Sequence, residues 1–215
     1  MKIAIIGTGN VGTALGGSFV RAGHEVTFAA QDATATQALA SQLGATAAAT
    51  TSAAIHASEI VVLAIPYDAV GDIAGEIAGA VAGKVVIDAT NPLKSDYSGL
   101  ATADGPSGAE RIADLLPGAR VVKAFNTIFA SIQADPRGQG QVVDGLLAGD
   151  DPEAKATVAG LLRSMGLRPL DTGPLAEARA LEAIAWLNIA LQLRNGGSWT
   201  TTVSLVNPPE QAIAA

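Results

Sequence analysis

Short, unbroken apolar runs alternate along this chain with longer stretches in which apolar residues recur every third or fourth position. The first run, Ile3-Ala4-Ile5-Ile6, is continuous, as expected of a strand covered on both faces. Behind it, Val11, Leu15, Phe19 and Ala22 share one face of a helix that begins near Asn10 and stops at Gly23. A second strand follows at once over 25–30. The same alternation predicts a helix over 34–43 closed by Gly44, a short strand or loop over 46–51, and a strand over 60–65 stopped by Pro66, which cannot continue a central ladder. A glycine-interrupted helix over 68–81, a strand over 85–89 and a surface loop over 94–108 come next. Ser107 and Glu110 are spaced as a capping box for a helix running to Leu116. A strand over 121–125, an irregular segment over 128–140 and a strand over 142–148 precede a helix that starts at Asp151-Pro152 and ends near Gly166. A last strand over 167–171 leads to a long helix over 176–194, closed by Asn195-Gly196-Gly197, and the tail after Val206 is expected to be loose.

Seven or eight short strands alternating with helices predict an α/β fold with a doubly wound, parallel, Rossmann-type sheet. Such sheets bind ligands outside the C-terminal ends of their strands. That rule gathers Gly7 to Gly12, Ala30 to Asp32, Ile65-Pro66-Tyr67, Thr90-Asn91-Pro92 and Asn126-Thr127 along one edge.

The turn after the first strand, Gly7-Thr8-Gly9-Asn10-Val11-Gly12, has the chemistry of a dinucleotide site. In a G-x-G-x-x-G turn the first glycine permits the tight turn, the second lets backbone approach a pyrophosphate, and the third lets helix and strand pack closely. The phosphates then lie on free N–H groups at the helix N-terminus. Strand, turn, helix and second strand occupy about 30 residues, the size a βαβ unit requires. Residues 1–172 are therefore read as a dinucleotide-binding domain, and 173–215, which hold one long helix, as a small C-terminal helical lobe.

Composition narrows the classes further. The net charge is −7 with no basic stripe, which argues against a nucleic-acid partner. The absence of cysteine removes disulfides and thiol chemistry, and two histidines make a histidine metal site an unpromising reading. No apolar run approaches the roughly 18 residues that span a bilayer, and the first strand belongs to the core instead of a cleaved leader. The expectation is a soluble, cytoplasmic protein with no membrane span and no bound metal.

Asp32 falls where the adenosine ribose is read, about 20 residues past the last motif glycine. A carboxylate there accepts from a free 2′-hydroxyl and repels a 2′-phosphate, which leans to NAD over NADP. The other reading makes Asp32 a solvated turn residue, with Thr34 capping the next helix. His24, just past a helix C-terminus that favours a cation, is read as structural, and His56 as a surface residue. Asp88 is read as ordering the Ala89-Thr90-Asn91 loop. Tyr67 and Tyr97 lack the lysine four residues on that short-chain dehydrogenases use. Trp186, at helical spacing with Ile189 and Leu193, is read as a core or dimer contact. No residue is singled out as an acid, base or nucleophile.

The segments GTGNVG at 7–12, AGHEV at 22–26, AIPYDAV at 64–70, VVIDATNPL at 85–93, VVKAFNT at 121–127 and GLRPLDTGPL at 166–175, followed by the long helix with RNGG, together resemble the NADPH-dependent coenzyme F420 reductases. The cytoplasmic oxidoreductase domains of membrane ferric and cupric reductases are related to that family. The resemblance implies a Rossmann domain, a homodimer, and hydride transfer between the nicotinamide of NADP or NAD and a deazaflavin such as coenzyme F420, or another flavin, stacked against it. Such transfer needs two rings held face to face with water excluded, and no protein acid, base or metal. The chain leaves the family pattern twice. Ala30-Gln31-Asp32 stands where F420-using members carry Ser-Arg for the 2′-phosphate, and Asn126 stands where they carry a histidine beside the deazaflavin. Two further readings stay open: a dehydrogenase of imines or hydroxy acids, and a non-enzymatic dinucleotide sensor.

Overall fold

The computed structural model describes residues 1–209. Its elements, in chain order, are β1 (Lys2–Ile6), α1 (Asn10–Arg21), β2 (Glu25–Ala29), α2 (Ala33–Leu43), β3 (Thr46–Ala47), α3 (Thr51–His56), β4 (Ile60–Leu63), α4 (Val70–Ile77), β5 (Val85–Asp88), α5 (Gly108–Leu115), β6 (Arg120–Ala124), α6 (Ala130–Ala134), β7 (Asp144–Gly149), α7 (Pro152–Met165), β8 (Arg168–Asp171) and α8 (Ala178–Asn195). The eight strands form one sheet in the order β3-β2-β1-β4-β5-β6-β7-β8, reversing direction of growth beside β1 as a doubly wound sheet does. The expected loose tail beyond residue 209 lies outside the described residues.

Strand residues alternate between two cores. Ile3, Ile5, Ile60, Val62, Val85 and Ile87 face one side, against Leu15 and Phe19 of α1 and Val158, Leu161 and Leu162 of α7. Ala4, Ile6, Val61, Leu63 and Val86 face the other, against Ile55 of α3, Ile77 of α4 and Ile112 of α5. Because both faces are covered, the strands read as unbroken apolar runs. Helix α8 packs beside the second layer, where Leu181 meets Leu146 and Ala148 of β7 and Leu170 of β8.

Two expectations are corrected. The sheet is not wholly parallel: β7 pairs antiparallel with β6, through Val122↔Gly149 and Ala124↔Leu147, and β8 runs parallel to β7. The segment expected to be irregular contains α6, held to α1 by Ser18 Oγ donating to the Gln133 carbonyl at 2.5 Å. Of the residues read as a core or dimer contact, Ile189 is buried, Trp186 is half-buried and Leu193 is 47% exposed. The buried side of α8 carries Glu182, Asn188 and Gln192, and its exposed side carries Leu187 and Leu191.

Candidate dinucleotide and acceptor cleft

Two glycines of the opening turn are required by the protein itself. Gly7 holds φ +112°, and a Cβ on it would stand 2.3 Å from the Ala64 carbonyl oxygen. A Cβ on Gly12 would stand 2.2 Å from the Gly7 carbonyl oxygen. Gly9 differs: its φ is −71°, and no protein atom lies within 4 Å of the Cβ it lacks. Nothing in the fold forbids a side chain there, so the glycine keeps open the space above the α1 N-terminus. That N-terminus has no side-chain cap and no acidic residue in its first turn, so its N–H groups and the positive end of its dipole are available. Helices α2, α3, α5 and α7, by contrast, are capped by Asp32, Thr50, Ser107 and Asp151.

Gly9, Asn10 and Val11 open into a cleft of about 1020 Å³ that runs along the C-terminal strand edge. Ile65 and Pro66 after β4, and Ala89, Thr90 and Asn91 after β5, form its floor and wall. The sequence-predicted residues thus fall into three groups. Gly9, Asn10, Val11, Ile65, Pro66 and Asn91 line the cleft. Gly7, Thr8, Gly12 and Pro92 stand behind that surface; Thr8 accepts a bond from the Thr13 hydroxyl through its carbonyl. Ala30, Gln31 and Asp32 lie outside the cleft, one strand over, at the end of β2.

Asn126 and Thr127 are buried behind the wall. Phe125 ends β6 in the left-handed region at φ 67°, a conformation costing an L-residue about 1–2 kcal/mol, with its ring packed edge-on to Phe19 at 5.9 Å. The turn brings Asn126 against Asn91. Asn126 Nδ2 donates to Asn91 Oδ1 and Asn91 Nδ2 donates to the Asn126 carbonyl, both at 3.1 Å. Asn126 Nδ2 also donates to the Leu181 carbonyl at 3.2 Å, tying α8 to the cleft wall. Two buried acceptors beside this pair, Thr90 Oγ1 and Asn126 Oδ1, lack a protein partner.

Asp32 proves to be a helix cap, in place of the Thr34 expected on the second reading. Its Oδ1 accepts from the Ala35 N–H at 2.9 Å, and the residue is exposed. His24 is structural, as read, but not as a cation. Its Nε2 meets Ser164 Oγ at 3.0 Å, and burial, followed by the nearby Met1 ammonium, lowers its pKa. Burial raises the pKa of the Tyr67 hydroxyl at the cleft wall, partly offset by the Arg111 guanidinium.

Beneath the wall lies a charge cluster that the sequence reading did not single out. Lys123, fully buried on β6, donates to Asp88 Oδ2 at 2.8 Å and to the Thr90 carbonyl at 2.7 Å, and its Nζ lies 3.3 Å from Glu182 Oε1 on α8. Glu182 also accepts from the Gly108 and Ala109 N–H groups at the α5 N-terminus and from the Thr102 hydroxyl. Asp88 accepts from the Thr90 N–H at 2.9 Å, as its loop-ordering reading expected. The available signal was a lysine inside an apolar strand, which demands a buried counter-charge. The loop after Pro92 is also more than surface: it closes on itself through a Leu93–Leu100 bridge and lines the cleft mouth with Lys94 and Tyr97. Among the described residues, no group of three or more acidic or histidine side chains is arranged to hold a metal, and no helix is long and apolar enough to cross a membrane.

Comparison with known proteins converges on this architecture. The family model for coenzyme F420-dependent NADP oxidoreductases matches residues 2–92. The F420-dependent NADP reductase of Methanothermobacter thermautotrophicus is 35% identical, over 98% of this chain and 97% of its own length. A crystal structure of a candidate F420-dependent NADP reductase from Arthrobacter sp. FB24 superposes with a TM-score of 0.85 at 30% identity, covering 95% of this chain and all of that one. The rat metalloreductase STEAP3 is 34% identical over 85% of this chain, which spans only 36% of that longer protein.

Proposed function

This chain belongs to the family of coenzyme F420-dependent NADP oxidoreductases, and from that premise we propose that it transfers a hydride between a nicotinamide dinucleotide and a flavin-like acceptor such as coenzyme F420. The observation that carries the reading is Gly9, a glycine demanded by neither backbone angle nor packing, at the mouth of an uncapped helix N-terminus. A pyrophosphate seated there explains both features.

In this reading the N–H groups of Asn10, Val11 and Gly12 hold the phosphates, and Ile65 and Pro66 give the dinucleotide an apolar wall. The orphan acceptors Thr90 Oγ1 and Asn126 Oδ1, buried beside the Asn91–Asn126 pair, mark the end where a carboxamide or a second ring system finds polar partners. The bound nicotinamide supplies the hydride chemistry. The chain's own task is to orient two rings and exclude water. Helix α8, within the expected lobe over 173–215, closes the acceptor side through the Leu181 carbonyl and Glu182.

We also infer a homodimer in the cytoplasm. Leu187 is 58% exposed and Leu191 is 49% exposed, one turn apart on α8, an apolar face that a second copy of the chain would cover.

The direct test is a spectrophotometric assay of NADH and NADPH oxidation with F420, FMN and FAD in turn. Turnover with F420 or a flavin is expected. Tight dinucleotide binding with no turnover on any of these acceptors would sink the hydride-transfer reading and leave a dinucleotide sensor.

A further inference from the structure

We propose that the adenosine-ribose subsite at the end of β2 selects NADH over NADPH, with Asp32 as the discriminating residue. The inference rests on the dinucleotide reading above and departs from the cofactor in the names of this chain's relatives.

Two observations carry it. The first is where the Asp32 carboxylate sits. In a Rossmann unit the ribose hydroxyls lie at the end of the second strand, and a 2′-phosphate there needs a cation or free helix-terminal N–H groups. The N-terminus of α2 is the helix end at that position, and Asp32 already fills it: Oδ1 takes the Ala35 N–H, and the Asp32 carbonyl takes the Thr36 N–H and hydroxyl. An incoming phosphate would meet a resident anion where it needs a dipole. Oδ2, which has no hydrogen-bond partner among the described residues, remains as an acceptor for a ribose 2′-hydroxyl.

The second observation is the absence of any compensating charge. Residues 22–83 contain no lysine and no arginine, so β2, α2, β3, α3, β4 and α4 are all without one. The flanking cations are engaged elsewhere. Arg21 ends α1 and bonds Ser18 Oγ and the Ala134 carbonyl, about 17 Å along the helix from the end that faces the phosphates. Lys84 donates to the Ser58 carbonyl at 2.6 Å, before β4. A 2′-phosphate therefore meets the Asp32 carboxylate with no cation from residues 22–83 to offset it, whereas a 2′-hydroxyl meets an acceptor.

The test is an equilibrium titration of the full chain with NADH and with NADPH, followed by nicotinamide fluorescence at low and high salt. The wild type should bind NADH at least about tenfold more tightly, as like-charge juxtaposition requires. The gap should narrow as salt screens the repulsion. Asp32→Ser keeps a hydroxyl for the Ala35 N–H and removes the charge, so it should weaken NADH and strengthen NADPH. Gln31→Arg/Asp32→Ser should reverse the preference. Equal or tighter NADPH binding by the wild type, or a ratio unmoved by both salt and Asp32→Ser, overturns the assignment. Failure of the wild type to bind either dinucleotide overturns the function reading beneath it, a result distinct from binding both without preference.

Discussion

Lys123 and Asp88 are register neighbours on adjacent parallel strands, 35 residues apart in sequence, with their charged atoms 2.8 Å apart and both side chains fully buried. With Glu182 they join β5, β6 and α8 beneath the cleft, and through the Thr90 carbonyl they hold the loop that forms its wall. Removing one member of a buried ion pair strands the other, at a cost of about 3–5 kcal/mol. Lys123→Met should lose stability on that scale in urea unfolding. Glu182→Gln should lose less, because Lys123 keeps Asp88 as its counter-charge and the one amide oxygen still accepts from one of the Gly108 and Ala109 N–H groups. Equal losses would mean that the Glu182 charge is as necessary to the cluster as Lys123 itself.

The opening glycines should separate folding from binding. Gly12→Ala drives a Cβ to 2.2 Å from the Gly7 carbonyl oxygen, and overpacking of this kind costs about 1–3 kcal/mol. Gly9→Ala meets no protein atom and should cost under about 1 kcal/mol, the penalty of alanine at a helix cap, yet weaken NADH binding at least about tenfold. Thermal melts paired with titrations check both. Normal binding by Gly9→Ala would remove the pyrophosphate from this turn.

His24 gives the stability a pH dependence with a definite sign. Burial lowers its folded-state pKa below the ordinary value of 6.5, so the unfolded chain takes up the proton more readily. Its contribution is complete above about pH 6.5 and declines as pH falls from there towards the folded-state pKa. Urea unfolding at pH 7.5 and 5.5 should show a larger acid loss for the wild type than for His24→Gln. An identical loss in both would remove His24 from the acid response.

The exposed apolar face of α8 should decide assembly. Leu187→Glu/Leu191→Glu places two charges at side chains that are 58% and 49% exposed, so the folded chain should remain intact while sedimentation shifts from dimer to monomer. A wild type that sediments as a monomer refutes the dimer. Loss of acceptor turnover in the monomeric variant, with NADH binding preserved, would assign part of the acceptor pocket to the pairing.

Much of this molecule is written locally in its residues. The unbroken apolar runs located β1, β4 and most of β5, because burial on both faces leaves no polar alternation, whereas β2 and β6 carry Glu25, Thr27, Arg120 and Lys123 among their apolar residues. Ser107 with Glu110, Asp151 before Pro152, and the glycines at 23, 44 and 166 marked helix ends, because capping and left-handed turns involve neighbours a few residues apart. The G-x-G-x-x-G turn marked the tight passage from β1 into α1 for the same reason. Only the tertiary structure decided what depends on distant partners. The reversal of β7 is a choice of pairing direction, to which an apolar run is indifferent. The Lys123–Asp88–Glu182 cluster joins three segments that no window spans, and the left-handed Phe125 brings Asn126 to Asn91 across 35 residues. The three motif glycines look alike in sequence, and it took the packing around them to show that Gly7 and Gly12 serve the fold while Gly9 serves the cleft.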